Sequence, residues 1–483
     1  MKKKILFITP PYHCGVVEVA GRWMPLGFVY LAAAARRVGW EPIIYDAMTK
    51  NHDHTQIKAR IRELAPDCVA TTAITATFPD ALEVLRSAKA VNPGVITLIG
   101  GVHPTFMDEE VLEYDGDVVD YVVRGEGERT LEALLRGLDA GAELKGVSGL
   151  SFQVDEKLVR TPDRTLMGSL EVSHDEWDLL DWEDYTYFVI PKSRLAVVST
   201  ARGCTFTCVF CSQQRFWNKS WRARSPEAAA EEILDLQKSK GANVFLIADE
   251  YPTQDQDRWR AFLERLAHAK FDGYLLMETR AADIVRDEAI LPLYRKAGVI
   301  HVYVGLEATD QKTLDFVKKE LELDESKRSL ALLREHGMIS ETSFVLGFPW
   351  ETEESLEETL RLSEEYDPDF AHYLAITPWP YADFYDEMEP HIEVFDYRKY
   401  NLIDPIIKPT GMTRMEVDRA IIECYRRFYM GKLRRLASDT DPFRRDYLLR
   451  SMRLIMNSSF LKTKMGSLGE MPGEVEKLLR NMK

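Results

Sequence analysis

Three cysteines stand in the stretch RGCTFTCVFC at 202–211: Cys204, Cys208 and Cys211, separated by three and then by two residues. A structural zinc ion is closed by four ligands, commonly two Cys-x2–4-Cys pairs, and here the second pair is missing. His268, at the end of a predicted helix, completes a Cys3His set only as a long-range ligand. Iron–sulfur clusters are held by cysteine thiolates, four when the cluster is closed. Three thiolates on a cubane leave one iron open, and an open position is what a metal centre needs to take a substrate or cosubstrate. The spacing therefore favours an open iron–sulfur cluster over zinc. Cys14, Cys68 and Cys424 stand alone and read as small buried side chains.

Such a loop needs a rigid support. LAVVSTARG (195–203) opens an alternating series with the strand patterns NVFLIADE (243–250), GYLLMETR (273–280), IHVYVGLEA (300–308), ISETSFVLGFP (339–349) and FAHYLAITPWP (370–380), separated by amphipathic helices. Six strand and helix pairs, each apolar run ending in polar residues, predict a full or partial (β/α) barrel over 193–395, with its site at the strands' C-terminal ends. The cysteine loop follows the first strand, where ligands project into the barrel mouth.

A first alternating series fills 1–145: KILFITP, EPIIYDA, DCVATTA, VITLIGG and VVDYVVRGEGE, with helices between. Continuously apolar strands predict a doubly wound parallel sheet, α/β in class, with a ligand at the strand ends. Those ends carry TPPYHCG, TTAITAT, GGVHPT and RGEGE, glycines and hydrogen-bonding residues suited to something large and polar. No G-x-G-x-x-G opens the first helix, which disfavours a dinucleotide. Residues 146–192 read as a linker with a possible hairpin at GLSFQVDEKLVRTP and an aromatic, acidic tail; 396–483 reads as a helical region.

Composition narrows the partners. With 62 Lys and Arg against 78 Asp and Glu the net charge is −16, which repels phosphate backbones, so nucleic acid is not an expected partner. The longest near-apolar stretch, MPLGFVYLAAAA, falls short of the ~20 residues that span a bilayer. No membrane span is expected, and the N-terminal MKKKILFITPPY reads as a strand rather than a leader, which points to the cytoplasm.

CTFTCVFC resembles the C-x3-C-x2-C motif of the radical S-adenosylmethionine superfamily, with an aromatic, Phe210, before the last cysteine. The resemblance implies that Cys204, Cys208 and Cys211 hold a 4Fe-4S cluster whose open iron is chelated by S-adenosylmethionine, which is then cleaved to a 5′-deoxyadenosyl radical. It also implies cosubstrate contacts from Phe210, from Asp249 and Glu250 of the ADE stretch, from Glu278 and Arg280 of ETR, from Glu307 of GLE and from Gly347 of VLGFPWET. The N-terminal domain resembles the Rossmann-like cobalamin-binding domain of one large subfamily. That resemblance implies cobalamin contacts from Pro11, His13, Thr72, Thr75, Gly100, Gly101, His103, Thr105, Gly125, Glu126 and Gly127. The D-x-H-x-x-G signature is absent, Asp46 being followed by Ala47 and Met48, which leaves His13 and His103 as candidate lower axial ligands.

Within that subfamily, CSQQRFWNKSWRARSPE, LIADEYPT, LPLYRKAGVIHVYVGLEA, AITPWPYADFY and YRRFYM resemble the anaerobic magnesium-protoporphyrin IX monomethyl ester cyclases. The resemblance implies oxidative closure of a fifth ring on a tetrapyrrole with oxygen from water, and a low-potential electron donor such as flavodoxin or ferredoxin. Phe216, Trp217, Trp221, Trp379 and Tyr381 are candidates to cover a flat macrocycle, or alternatively interdomain packing. Gln213 and Gln214 replace the aromatic and basic run of those cyclases, and the C-terminal region is short. A cobalamin-dependent C-methylase and a non-catalytic cobalamin or redox sensor are the alternatives. A transfer RNA methylthiolase is disfavoured by the charge and by the lack of cysteines for a second cluster.

Overall fold

The computed structural model describes residues 2–12, 20–170, 175–436 and 439–457; His13 and Cys14 lie outside them. The first sheet contains β1 (Lys4–Ile8), β2 (Glu41–Tyr45), β3 (Cys68–Thr72), β4 (Ile96–Gly100), β5 (Tyr121–Val123), β6 (Leu150–Val154) and β7 (Lys157–Arg160), in the order β2-β1-β3-β4-β5-β6-β7. β1 to β5 run parallel. Beyond Lys4, β1 is apolar because it is covered twice: Ile5 and Phe7 pack with the helix Leu26–Arg37, Leu6 and Ile8 with the helices His54–Leu64 and Phe78–Val91. The order reverses between β1 and β3, so a crevice opens beyond their C-terminal ends.

The sheet does not stop at residue 145. β6 and β7, within the segment read as a linker, form an antiparallel hairpin that pairs with β5. Leu150 and Phe152 bury against one face of the sheet, which supplies the apolar surface a free linker would lack. The aromatic tail that follows sends Trp177, Tyr185 and Tyr187 into the core of the second unit, beside Met24 and Val29 of the first.

β8 (Leu195–Val198) begins the second unit. A short antiparallel pair, β9 (Ala201–Gly203) and β10 (Trp221–Ala223), then brackets the cysteine loop. β11 (Val244–Ile247), β12 (Tyr274–Arg280), β13 (Val299–Gly305), β14 (Ile339–Leu346) and β15 (Phe370–Ala375) complete a six-stranded parallel sheet in the order β8-β11-β12-β13-β14-β15. β8 and β15 do not pair, so this is the partial (β/α)6 barrel, open on one side. Its helices carry their own stops: in Pro226–Lys240, Ser225 caps the first turn through Ala228 N at 3.1 Å, Pro226 sits first, and Gly241 ends it left-handed at φ 68°.

Helices Arg414–Leu436 and Pro442–Asn457 close the barrel's outer side and base: Tyr425 and Phe428 meet Tyr373 of β15, and Tyr447 reaches inward to His301. Among the described residues no helix is long and apolar enough to cross a membrane.

Candidate active site at the junction of the two sheets

The cysteine loop is held from several sides. Gly203 N donates to Glu250 Oε2 at 2.9 Å, and Gly203 has φ +96° with Ser220 O standing 2.1 Å from where a Cβ would be, so only glycine fits. Val209 N donates to Val317 O (3.1 Å), Gln214 Nε2 donates to Cys208 O (3.1 Å), and the Arg280 guanidinium lies 3.4 Å over the Phe206 ring. Cys208 is buried, Cys204 and Cys211 half-buried. Burial pushes the Cys211 thiol up to about 12 and raises that of Cys204, with the neighbouring thiols adding to both shifts. Arg280 and Lys319 work against the rise at Cys204.

The three thiols thus sense one another. Among the described residues, however, no three His, Cys, Asp or Glu side chains converge as a single ion requires. Three thiols on one loop, with the Arg280 and Lys319 cations acting on Cys204, are a donor set that fits a 4Fe-4S group better than zinc.

Inside the barrel, side chains from adjacent strands share rows. Glu278, Tyr303 and Glu341 are register partners across β12, β13 and β14. Glu278 is accessible, yet it faces the open interior rather than bulk water; burial first, then the nearby Glu250, raise its carboxyl to about 7. Above that row Lys319 Nζ donates to Glu307 Oε1 at 2.7 Å, Ser343 Oγ donates to Glu307 Oε2 at 3.3 Å, and Tyr303 shares a 2.6 Å bond with Ser343. Burial opposes the Lys319 charge, but Glu307 and the Cys208 thiol outweigh it and hold its pKa above the ordinary value.

Asp249 departs from its expected cosubstrate role. It is fully buried, accepting from Thr200 N at 2.7 Å and Thr200 Oγ1 at 2.6 Å, and so braces the end of β8; burial raises its carboxyl to about 6. Glu250, the next residue in the loop after β11, takes different partners, accepting from Gly203 N and, at 2.8 Å, from Trp217 Nε1. Arg280 is also committed, donating to the backbone carbonyls of Lys319 and Glu320 (2.8 Å to the latter). Gly347 has φ +92° and donates to Glu351, and Phe210 lies at the edge of an apolar cluster, 6.0 Å from Lys319 Nζ.

A second cluster escaped the sequence reading. His301 Nε2 stands 2.7 Å from Glu341 Oε2, out of line for a hydrogen bond, and His372 Nε2 contacts Oε1. His301 Nδ1 bonds Tyr447 at 2.7 Å, and Tyr447 meets Tyr187. Burial alone would raise the Glu341 carboxyl, but the two histidines hold it well below the ordinary carboxylate range. Nothing in the β13 to β15 strings distinguishes these residues from ordinary strand polar positions.

Between the sheets lies a cavity of about 400 Å³. Its floor is apolar, with Phe7, Leu31, Ala70 and Leu98, and its rim carries Thr72, Gly100, Gly101, Gly125, Glu126 and Gly127. Its far wall belongs to the barrel: Ser199, Arg202, Phe216, Trp217, Ala248 and Glu250. Gly101, at φ +97°, leaves no room for a Cβ, which would stand 2.6 Å from both Ala73 O and Thr72 Oγ1. Gly125, at φ +67°, has nothing within 4 Å of that position. A glycine rim over an apolar floor at a topological switch point fits a bulky cofactor held mainly by backbone and shape, and cobalamin, a corrin with an apolar aromatic arm, suits it.

Several expected cobalamin contacts are placed elsewhere. Pro11, Thr75, His103 and Thr105 do not line the cavity. Thr105 Oγ1 ties Gly101 O to Gly125 N, bracing the rim. His103 is wholly buried among Phe78, Tyr381 and Tyr397, its Nδ1 3.3 Å from Thr75 and its Nε2 without a partner; burial lowers its pKa to about 3. It therefore belongs to an aromatic wall and does not line the cavity. Glu126 pairs across the domains with Arg202 Nη1 (2.7 Å) and Arg222 Nη1 (3.1 Å), so the rim of one site is clamped two residues ahead of Cys204.

Of the aromatic candidates, Phe216 and Trp217 line the cavity and meet edge to face at 4.8 Å, and Trp221 donates to Tyr251 O. Tyr381 stacks on Phe106 at 5.0 Å, whereas Trp379 packs against a separate apolar cluster behind the cysteine loop. The sequence reading missed the contribution of the helix Leu26–Arg37, whose Tyr30 and Leu31 line the cavity; their apolar spacing looks like ordinary core.

Known proteins share both halves. The B12 binding domain family matches residues 12–135 and the Radical SAM superfamily matches 198–363. The chain is 39% identical to an anaerobic magnesium-protoporphyrin IX monomethyl ester cyclase of Rubrivivax gelatinosus, over 95% of this chain and 83% of that protein, and 38% identical to one of Cereibacter sphaeroides, over 95% and 76%. It is 31% identical to an uncharacterized methyltransferase of Pyrococcus horikoshii, over 88% and 92%. The cobalamin-dependent S-adenosylmethionine radical enzyme OxsB, solved with aqua-cobalamin and S-adenosylmethionine, shares the fold at TM-score 0.72 and 17% identity, over 97% of this chain and 74% of that one. With both cofactor-binding units in order on one chain, and this identity over most of its length, the protein belongs to the cobalamin-dependent radical S-adenosylmethionine enzymes, in the family of the anaerobic magnesium-protoporphyrin IX monomethyl ester cyclases.

Proposed function

We propose that this enzyme closes the isocyclic ring of magnesium-protoporphyrin IX monomethyl ester, or of a close tetrapyrrole relative, by anaerobic oxidation. The observation that carries the reading is the shared cavity, whose rim comes from the cobalamin-type sheet and whose far wall comes from the barrel mouth beside the cysteine loop. When bound, cobalamin, the 4Fe-4S cluster and S-adenosylmethionine supply a radical able to take hydrogen from an unactivated carbon.

The chain's own residues divide the remaining work. Cys204, Cys208 and Cys211 would hold the cluster, with Lys319 and Arg280 placing positive charge behind them. Glu250, Glu278 and Glu307 present carboxylates to the barrel interior, where a sulfonium, an ammonium and ribose hydroxyls find acceptors. Phe210, 6.0 Å from Lys319 Nζ, and Gly347 would contact the cosubstrate, and Thr72, Gly100, Gly101, Gly125 and Gly127 would cradle cobalamin. Phe216, Trp217 and Tyr381 would cover the macrocycle. A low-potential donor such as flavodoxin or ferredoxin supplies electrons.

The test is anaerobic incubation of reconstituted enzyme with the monomethyl ester in ¹⁸O-labelled water. The expected outcome is 5′-deoxyadenosine and a ring-closed product carrying solvent oxygen. Methylated product with S-adenosylhomocysteine would instead support the methylase reading, which the Pyrococcus relative favours.

A further inference from the structure

A second cavity, of about 670 Å³, opens beside the first. It lies between the cobalamin-type domain, the helix Gln213–Phe216 after the cysteine loop, and the loop after β15. Its volume is in the range of small-molecule sites. Phe106 and Tyr381, stacked at 5.0 Å, form an aromatic wall. Phe106 also meets Phe216 of the first cavity at 6.4 Å, so one pair of rings separates the two spaces. Gln214, which lines this cavity, donates through Nε2 to the backbone carbonyl of Cys208 at 3.1 Å. A ligand there is next to the chemistry.

The polar groups of this cavity are unevenly used. Arg215 is occupied: Nε pairs with Asp383 at 3.1 Å and Nη1 donates to Tyr381 O at 2.5 Å. Gln214, 2% exposed, donates through Nε2 to Cys208 O and to Asp383 Oδ2 at 2.7 Å, but its buried Oε1 has no partner. Lys219 lines the cavity, and no ion pair or side-chain hydrogen bond involves its ammonium among the described residues. Asn218 and Lys219, both exposed, hold left-handed backbone at φ 51° and 50°, the central pair of a tight turn closed by Ser220 N donating to Trp217 O at 3.0 Å, which sets the Lys219 side chain on the cavity. A free cation on an aromatic cavity, in a chain of net charge −16, selects for a flat ligand with an anionic edge.

We infer that Lys219 is the counter-ion for the free propionate of the tetrapyrrole, with the ring edge against Phe106 and Tyr381, and that it makes the enzyme selective for the monoester over the diester. The inference rests on the reading above. A monomethyl ester of protoporphyrin IX keeps one of two propionates ionised; the dimethyl ester keeps none and is otherwise nearly the same shape.

Binding and turnover of the two magnesium porphyrin esters by the holoenzyme and by Lys219→Met separate the possibilities. The wild type is expected to bind the monoester roughly tenfold more tightly than the diester, the preference of a charge-assisted hydrogen bond. Lys219→Met brings that ratio near one, and Lys219→Arg restores most of it. Equal affinity of the wild type for both esters, or an unchanged ratio in Lys219→Met, overturns the inference even if cyclisation proceeds. A Lys219-dependent preference without cyclisation keeps the inference and overturns the proposed reaction; failure to bind either ester overturns both. If Lys219→Met weakens cobalamin retention while leaving the ester ratio intact, the cavity serves the cofactor and the inference fails.

Discussion

The two cofactor regions are built from opposite materials. The first cavity is backbone, glycine and apolar floor, and its main charged rim residue, Glu126, is spent on Arg202 and Arg222 of the other domain. The barrel interior is crowded with ionisable groups: Glu278, Glu307, Lys319, Glu341, His301 and His372. One region selects by shape, the other by charge. The difference follows from the folds, since a doubly wound sheet offers strand-end amides and turns at its crevice whereas a barrel points alternate side chains inward.

If the two regions are separable, Cys208→Ala should abolish iron loading and 5′-deoxyadenosine formation while cobalamin still binds, read from iron content and the cobalamin absorption bands. Loss of cobalamin as well would join the two sites into one folding unit. Next in size, Glu341→Gln leaves two histidines without their half-buried carboxylate partner and should cost up to about 3 kcal/mol of stability, measured by denaturant unfolding. Because the folded state holds Glu341 ionised below its ordinary range, its contribution is full above about pH 4.3 and fades as pH falls, so the gap between wild type and variant narrows in acid. On the shape-selecting side, Gly101→Ala forces a Cβ against Ala73 O and Thr72 Oγ1 at φ +97°, a strain of about 1–3 kcal/mol. Cobalamin affinity should fall roughly tenfold or more with iron content intact. The smallest effect is a pH limb. Glu278 ionises near 7, so affinity for the cationic cosubstrate should rise as pH rises through that value, and Glu278→Gln should flatten the profile in equilibrium binding.

Much of the architecture was legible because apolar runs of strand length, ending in Gly, Thr or Glu, mark strands and their functional ends alike. The glycines at 100, 101, 125 and 127 were readable as a rim because a turn that needs positive φ or close approach leaves glycine in the string. Asp249 sits apart from its expected place because ADE gives no sign of which carboxylate is already spent, and the sequence does not show that Thr200, 49 residues away, satisfies Asp249. His103 is placed away from the cavity for a related reason: a histidine between a glycine pair and a proline reads as a ligand until three aromatic rings from distant segments enclose it.

By itself the sequence determined the three thiols and their missing fourth, the two alternating series and their order, since spacing and periodicity are local properties of the chain. Tertiary structure decided which carboxylates stand in the open and which are spent, that Glu341 lies between two histidines, and that Lys219 lines a cavity without an ion-pair partner among the described residues. Those outcomes depend on partners brought together by register and domain docking, and no local pattern encodes them.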